Sequence, residues 1–152
     1  MITTATLAHG AAILELQKRA YQSEAALYPT LSLPPLQQTL EQLHQEITDQ
    51  PVLCALEQGV IVGSVRGVQD QLDWVIGRLI VEPSFQGKGV GSRLLKHIED
   101  SVPSSCDRLV LFTGHKSEQN LSMYKTRGYV VFKEVVMGPE LTLVYLSKGL
   151  NV

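Results

Sequence analysis

Ile2 to Leu7 is a short β-branched run and predicts a first strand. From Ala8 to Tyr28 the apolar positions change to helical spacing. Ile13, Leu16, Ala20 and Leu27 fall on one stripe at about 100° per residue, widened by Leu14, Tyr21 and Tyr28. Gln17 and Glu24 lie inside that stripe. A carboxylate on a buried helix face is costly unless it is paired or faces a wet cavity. Either the helix ends early and leaves Glu24 exposed, or Glu24 lines a pocket. Pro29 to Pro35, with three prolines, predicts a stiff connecting loop. A second helix is expected from about Leu36 to Ile47, with Leu36, Leu40, Leu43 and Ile47 on one face, and Pro51 ends that segment.

From Val52 the period is that of strands. Val52 to Glu57 and Val60 to Gln69 flank the tight turn Gln58-Gly59, and Leu72 to Val81 follows. Gly77, inside that last strand, predicts a bulge or a close backbone approach. Val90, Leu94, Leu95, Ile98 and Val102 give a helix with one buried face. Arg108 to Thr113 is a strongly apolar strand, Glu118 to Thr126 a short helix stopped at Arg127-Gly128, and Tyr129 to Met137 with Leu141 to Leu146 a last hairpin. The order β-α-α-β-β-β-α-β-α-β-β mixes hairpins with two strand–helix–strand crossovers. It predicts an α/β (α+β) fold with a mixed sheet of about seven strands and helices on its faces. One domain is expected over residues 1–152.

The stretch from Gly77 to Asp100 carries the candidate chemistry. A strand ending Leu79-Ile80-Val81 exits through Pro83 into Gln86-Gly87-Lys88-Gly89-Val90-Gly91-Ser92, and a helix follows. The first N–H groups of a helix lack internal partners and carry partial positive charge. Three glycines at alternate positions remove the Cβ atoms that would keep an anion away. The stretch is a candidate diphosphate cradle. Its spacing is neither the G-x-G-x-x-G of dinucleotide folds nor the G-x-x-x-x-G-K-[ST] of a P-loop.

Composition narrows the partners. Thirteen Lys and Arg against 15 Asp and Glu give a net charge of -2, which argues against a general nucleic-acid binder. Cys54 and Cys106 stand far apart without a CxxC, so neither a disulfide scaffold nor a metal site is expected. Cys54 sits in an apolar run and reads as core. No apolar run reaches a membrane span and no basic leader precedes Lys18. A soluble cytoplasmic protein is the expectation.

The segment Leu79 to Leu95 resembles the acyl-coenzyme A signature of the GNAT N-acetyltransferase superfamily, [Gln/Arg]-x-x-Gly-x-[Gly/Ala] between a splayed strand and a helix. Asn120-x-x-x-Tyr124-x-x-x-Gly128-Tyr129 is similar to the family's downstream element, in which an Asn and a Tyr on a short helix meet the cofactor. The order of elements matches across nearly the whole chain. Leu16 to Ala25 is similar to a bacterial subgroup of these enzymes, which adds no substrate.

The resemblance implies a mostly antiparallel sheet with one splayed parallel pair, and it implies roles. Backbone N–H groups of Gln86, Gly87, Lys88, Gly89, Val90, Gly91 and Ser92 would hold the diphosphate of acetyl-coenzyme A. Leu79 and Val81, with Ile80 between them, would pair their backbone with the pantetheine amides. The thioester would lie in the gap between this strand and Arg108 to Thr113. Asn120 would hydrogen-bond the pantetheine arm, and Tyr124 would protonate the departing thiolate. A phenol with a pKa of about 10 is a plausible acid for a thiol. Its alternative is a core aromatic beside Tyr129.

The attacking amine must lose a proton. The family often uses a carboxylate on the splayed strand, but Val75, Gly77 and Leu79 stand at the matching positions here. Glu24 and Asp73 are the candidate bases; His115 is a weaker one, better read as a solvated loop residue. In the family the acceptor site is built from the first two helices and the last hairpin. Tyr21, Glu24, Tyr28, Pro34-Pro35 and Val135 to Glu140 would line it and suit a small-molecule amine, with direct transfer in a ternary complex. The alternatives are a peptide amine as acceptor, or an acyl-coenzyme A-binding module without catalysis. No membrane partner is expected. The last hairpin could pair with a second copy of the chain, giving a homodimer.

Overall fold

The computed structural model describes residues 1–150. The strands are β1 (Ile2–Thr4), β2 (Val52–Glu57), β3 (Val60–Asp70), β4 (Asp73–Val81), β5 (Arg108–Gly114), β6 (Val130–Val136) and β7 (Thr142–Gly149). The helices are α1 (Gly10–Ala20), α2 (Gln22–Leu27), α3 (Pro34–Gln37), α4 (Leu40–Asp49), α5 (Val90–Asp100) and α6 (Glu118–Thr126). The seven strands form one sheet in the order β1-β2-β3-β4-β5-β7-β6, antiparallel throughout except for β4 and β5. This is the expected mixed α/β architecture.

Two apolar clusters sandwich the sheet. Ile13, Leu14 and Leu16 of α1 and Leu43 of α4 pack with Val52, Cys54 and Ile80 on one face. Val90, Leu94, Leu95 and Ile98 of α5 pack with Val65, Trp74 and Leu111 on the other, joined by Tyr124 of α6 and by Tyr129. The i, i+4, i+5, i+8 spacing of the α5 residues is what turns one side of that helix into the core. The Gln58-Gly59 turn takes φ 50° and 78°, the left-handed pair that a two-residue hairpin of the right twist needs.

The helices before β2 are more broken than their apolar stripes suggest. The predicted helix 8–28 is two, interrupted at Tyr21, and the predicted helix 36–47 starts at Leu40 after the short α3. Thr39 caps α4 by accepting from the Gln42 N–H, while the Gln42 side chain accepts from the Thr39 N–H. That Thr-x-x-Gln capping box fixes the start of the helix. Gln17, fully buried, is explained by a polar cluster. Its Oε1 accepts from Arg66 Nη2 at 2.6 Å, and Arg66 Nη1 donates to Glu46 at 2.7 Å and to Gln38 at 3.1 Å. These bonds tie α1, the α3–α4 connection, α4 and the middle of β3 together. Removing the cation leaves buried acceptors and a half-buried carboxylate without a donor. Arg66→Met is therefore expected to lower unfolding stability by about 3 kcal/mol, read from the shift of the denaturant midpoint at constant slope.

Two irregularities of β4 create the site. In the register against β3, Ser64 faces Ile80 and Arg66 faces Gly77, so Val65 stands opposite two residues, Arg78 and Leu79. This is a β-bulge, one residue later than Gly77, and Arg78 carries it with φ 52°. The extra residue reverses the alternation of faces. Trp74 and Ile76 point to the α5 side, whereas Ile80 points to the α1 side. The second irregularity is that β4 and β5 pair only at Asp73–Arg108, Trp74–Leu109 and Val75–Val110. Beyond Val75 they separate, β4 following β3 and β5 following β7.

Candidate active site

The gap between the parted strands is a cleft of about 920 Å³. Its walls are β4 from Ile76 to Val81, the end of β5, α2 with Tyr21, Glu24 and the following Tyr28, and α6 with Asn120 and Tyr124. A second depression of about 440 Å³ opens over the glycine-rich loop and shares Leu79, Val81, Gln86 and Asn120 with the cleft. An elongated ligand can thus run from the loop into the sheet.

The loop has the features of an anion cradle. Gly87 and Gly89 take φ 80° and 85°, a backbone that side chains with a Cβ adopt only under strain. Gly89 caps α5 and offers no side chain to its first amides, so the N–H groups of Val90, Gly91 and Ser92 precede the first intrahelical bond, Arg93 N–H to Gly89 O at 3.0 Å. At Gly91 neither φ nor packing demands a glycine; a Cβ there would meet Val81 at ordinary contact distance. What its absence leaves is room for a ligand. The Gln86 N–H differs from expectation. It donates to Pro83 O at 3.4 Å, inside the turn. Arg93, whose Nη1 donates to Lys88 O at 3.4 Å, leans back onto the loop and adds positive charge there.

Glu24 sits at the centre of a polar chain across the cleft. It accepts from Ser117 Oγ and, at 3.4 Å, from Asn120 Nδ2, which also lies 3.3 Å from Thr113 Oγ1. Ser117 is buried, with the Tyr28 hydroxyl 3.5 Å away, and that hydroxyl accepts from the Lys116 N–H at 3.0 Å. Gly114 makes this possible, because a Cβ there would overlap the Tyr28 phenol. Both expectations for Glu24 are met in part: the helix breaks at Tyr21, and the second piece turns the carboxylate into the cleft. Ser117, Thr113 and Arg78 were not singled out from the sequence. Ser117 shows no signal beyond standing where a helix starts. Arg78, next to the flagged Gly77, could have been found by asking which side chain a bulge would redirect.

Tyr124 lines the cleft and is 7% exposed. Burial, reinforced by Tyr21 and the Glu24 charge, pushes its phenol well above the ordinary value. It also packs on Tyr129, with ring centroids 6.1 Å apart. Tyr129 donates to Glu99 Oε2 at 2.7 Å, and burial together with that carboxylate raises its pKa too. Both phenols stay neutral in the folded chain at a pH where the unfolded chain ionises them, at about 10. Their contribution to stability is complete below that value and is lost as pH climbs toward the raised values. The Tm is expected to hold up to about pH 9 and to fall above about pH 10, less steeply in Tyr129→Phe. Thermal melts across that range check it.

The structure does not bring Asp73 to this site. It opens β4 at the end where the strands are zipped, and Arg108 Nε donates to it at 2.7 Å. A carboxylate held in that pair, outside the cleft lining, is withdrawn as a candidate base. His115 is exposed, and its Nδ1 accepts from the Thr142 N–H at 3.0 Å. Cys54 and Cys106 are free and buried, and burial pushes the Cys54 thiol up. No helix among the described residues is long and apolar enough to cross a membrane.

The sheet is parted at its single parallel pair, and an anion-receptive helix start lies at the mouth of the opening. The chain belongs to the acetyltransferase (GNAT) family, whose model matches residues 11–129, and it is thereby an acyltransferase. Its fold is also that of yncA from Salmonella typhimurium with its cofactor acetyl-CoA (TM-score 0.78, 20% identity, 100% of this chain and 94% of that one). The ribosomal-protein-alanine N-acetyltransferase from Brucella melitensis matches with TM-score 0.78 and 20% identity over 99% of both chains. The PaiA N-acetyltransferase from Thermoplasma acidophilum in complex with coenzyme A matches with TM-score 0.76 and 16% identity over 95% of this chain and 96% of that one. No curated protein matches the chain in sequence.

Proposed function

We propose that this chain transfers an acetyl group from acetyl-coenzyme A to the primary amine of a small molecule, by direct attack in a ternary complex. The observation that carries the reading is the continuity of three features: the amides at Val90, Gly91 and Ser92, the parted strands beyond Val75, and Tyr124 buried in the opening. The amides of residues 87–92 hold the diphosphate. The exposed edge of β4 at Leu79, Ile80 and Val81 takes the pantetheine amides. The relatives solved with acetyl-CoA or coenzyme A share the fold that supports this assignment.

When bound, the thioester supplies an activated acetyl carbon. The amine nitrogen bonds to that carbon, the carbon–sulfur bond breaks, the amine releases a proton and the thiolate takes one. Tyr124, kept protonated by burial, gives the proton to sulfur. Glu24, held by Ser117 and Asn120, receives the amine proton directly or through one water. Asn120, engaged with Glu24 and Thr113, reaches the pantetheine arm from the same position. Both cysteines lie in the core, so an acyl-cysteine route has no nucleophile at the cleft. The free thiols suit a reducing cytoplasm. The β6 edge, with Val130, Val136 and Met137 exposed, is the surface available for pairing with a second copy.

The test is a thiol-release assay with acetyl-coenzyme A over amino acids, polyamines, aminoglycosides and short peptides. Turnover with at least one small amine is expected. Tight coenzyme A binding without turnover would instead mark a non-catalytic acyl-coenzyme A sensor.

A further inference from the structure

The bulge places one cation in the cleft that the transfer chemistry does not use. Arg78 stands at the bulge of β4, between Gly77 and Leu79, and it lines the opening. Its Nη1 is sealed from solvent and has no hydrogen-bond partner. The neighbouring charges are already matched. Arg66 is held by Glu46 at 2.7 Å, and Arg19 by Glu82 at 2.9 Å. Glu24 accepts from Ser117 and Asn120, and Glu118 is exposed on the first turn of α6. Neither carboxylate forms an ion pair with Arg78 among the described residues. A guanidinium without an anion, partly taken out of water, is costly unless a ligand completes it. The sealed Nη1 faces protein, and the Nε–Nη2 edge of the planar fork is what remains to meet one carboxylate with two parallel hydrogen bonds.

We infer that Arg78 is the specificity residue for an acceptor that carries a carboxylate as well as its amine, as an amino acid does. This rests on the transferase reading above. The acceptor bridges two walls: its carboxylate lies on Arg78, and its amine lies toward Glu24 and the thioester. Lys116, the other cation of the lining without a carboxylate partner among the described residues, is exposed and lies over the Tyr28 ring, so Arg78 is the one sealed cation; one sealed guanidinium calls for a single negative charge, which favours a carboxylate over a phosphate dianion. The same cation repels polyamines and aminoglycosides. The apolar part of the lining, from Leu33, Leu141 and Leu143, takes the carbon skeleton between or beside the two charged groups.

The experiment compares thiol release for amino acids, their amides, the matching decarboxylated amines and the matching aminophosphonates, in wild type, Arg78→Gln and Arg78→Lys. Wild type is expected to prefer an amino acid over its own amide by about 10²-fold in kcat/KM. Arg78→Gln should raise KM for the amino acid and shrink that preference to about threefold, with Arg78→Lys recovering part of it. Equal or faster turnover of amides, polyamines or aminophosphonates overturns the inference, as does a preference that survives Arg78→Gln. A second readout is independent of turnover. Butyrate, which has no amine, is titrated into the coenzyme A complex while the Arg78 side-chain Nε–H resonance is followed by NMR. A saturable shift supports the site, and an unmoved resonance overturns it. If no acceptor releases thiol although coenzyme A binds, the transferase reading fails, and the butyrate titration still decides the anion site.

Discussion

Tyr124→Phe is expected to lower kcat by about 10² to 10³-fold while the Kd for coenzyme A stays within about twofold. The substitution keeps the ring that packs on Tyr129 and removes only the hydroxyl in the cleft. A thiolate leaving without a proton has to carry full charge into a site whose walls include a carboxylate. General acid catalysis by a positioned group typically supplies that range of rate. Because burial and the nearby Glu24 charge raise the phenol's pKa, Tyr124 keeps its proton across the neutral and moderately alkaline range. The wild-type rate should therefore show no alkaline decline from loss of this acid below about pH 10. If Tyr124 were a core aromatic alone, Phe would be nearly silent. Unchanged turnover in that variant would remove the tyrosine from the chemistry.

The second large effect is on cofactor affinity. Gly89→Val is expected to weaken coenzyme A binding by about 10²-fold or more, measured by calorimetry, with a fall of only a few degrees in melting temperature. Gly89 takes φ 85° at the cap of α5, which a β-branched side chain enters only as an outlier. A Cβ there would also press on the Arg93 guanidinium at 3.3 Å. The loop must rebuild, and the amides of Val90, Gly91 and Ser92 lose their common aim. Each charge-assisted bond to a phosphate contributes about 1.5 to 3 kcal/mol, so displacing one or two accounts for the loss. The loop is exposed and its neighbours are few, so stability of the fold is largely spared.

What was legible in the sequence follows from how local the physics is. The hairpin at Gln58-Gly59, the α5 stripe and the glycine-rich turn before it are set by residues close in sequence, and the structure shows each where its pattern puts it. The helix breaks at Tyr21 and before Leu40 escape the apolar stripe. They bend α2 over the cleft and bring Gln17 and Gln38 to Arg66. An apolar stripe does not report where a helix breaks; the Thr39–Gln42 capping box starts α4 at Leu40, after the start at Leu36 that the stripe predicted. The bulge was anticipated at Gly77 and occurs on Arg78; Gly77 and Leu79 both line the cleft, and Arg78 joins them there. That shift of one residue put Arg78 into the cleft, where simple alternation had expected no titratable group. Asp73 illustrates the opposite error. It shares β4 with the site, but the strands are still joined at its end, and Arg108 claims it. Strand membership alone said nothing about where the sheet opens.

The most direct measurement of the central claim is an amide NMR titration of the ¹⁵N-labelled chain with acetyl-coenzyme A. The largest saturable shifts are expected at Gly87 to Ser92 and at Leu79 to Val81, with smaller ones at Asn120 and Tyr124. Saturation without movement of those amides, or no binding at about millimolar cofactor, would contradict it.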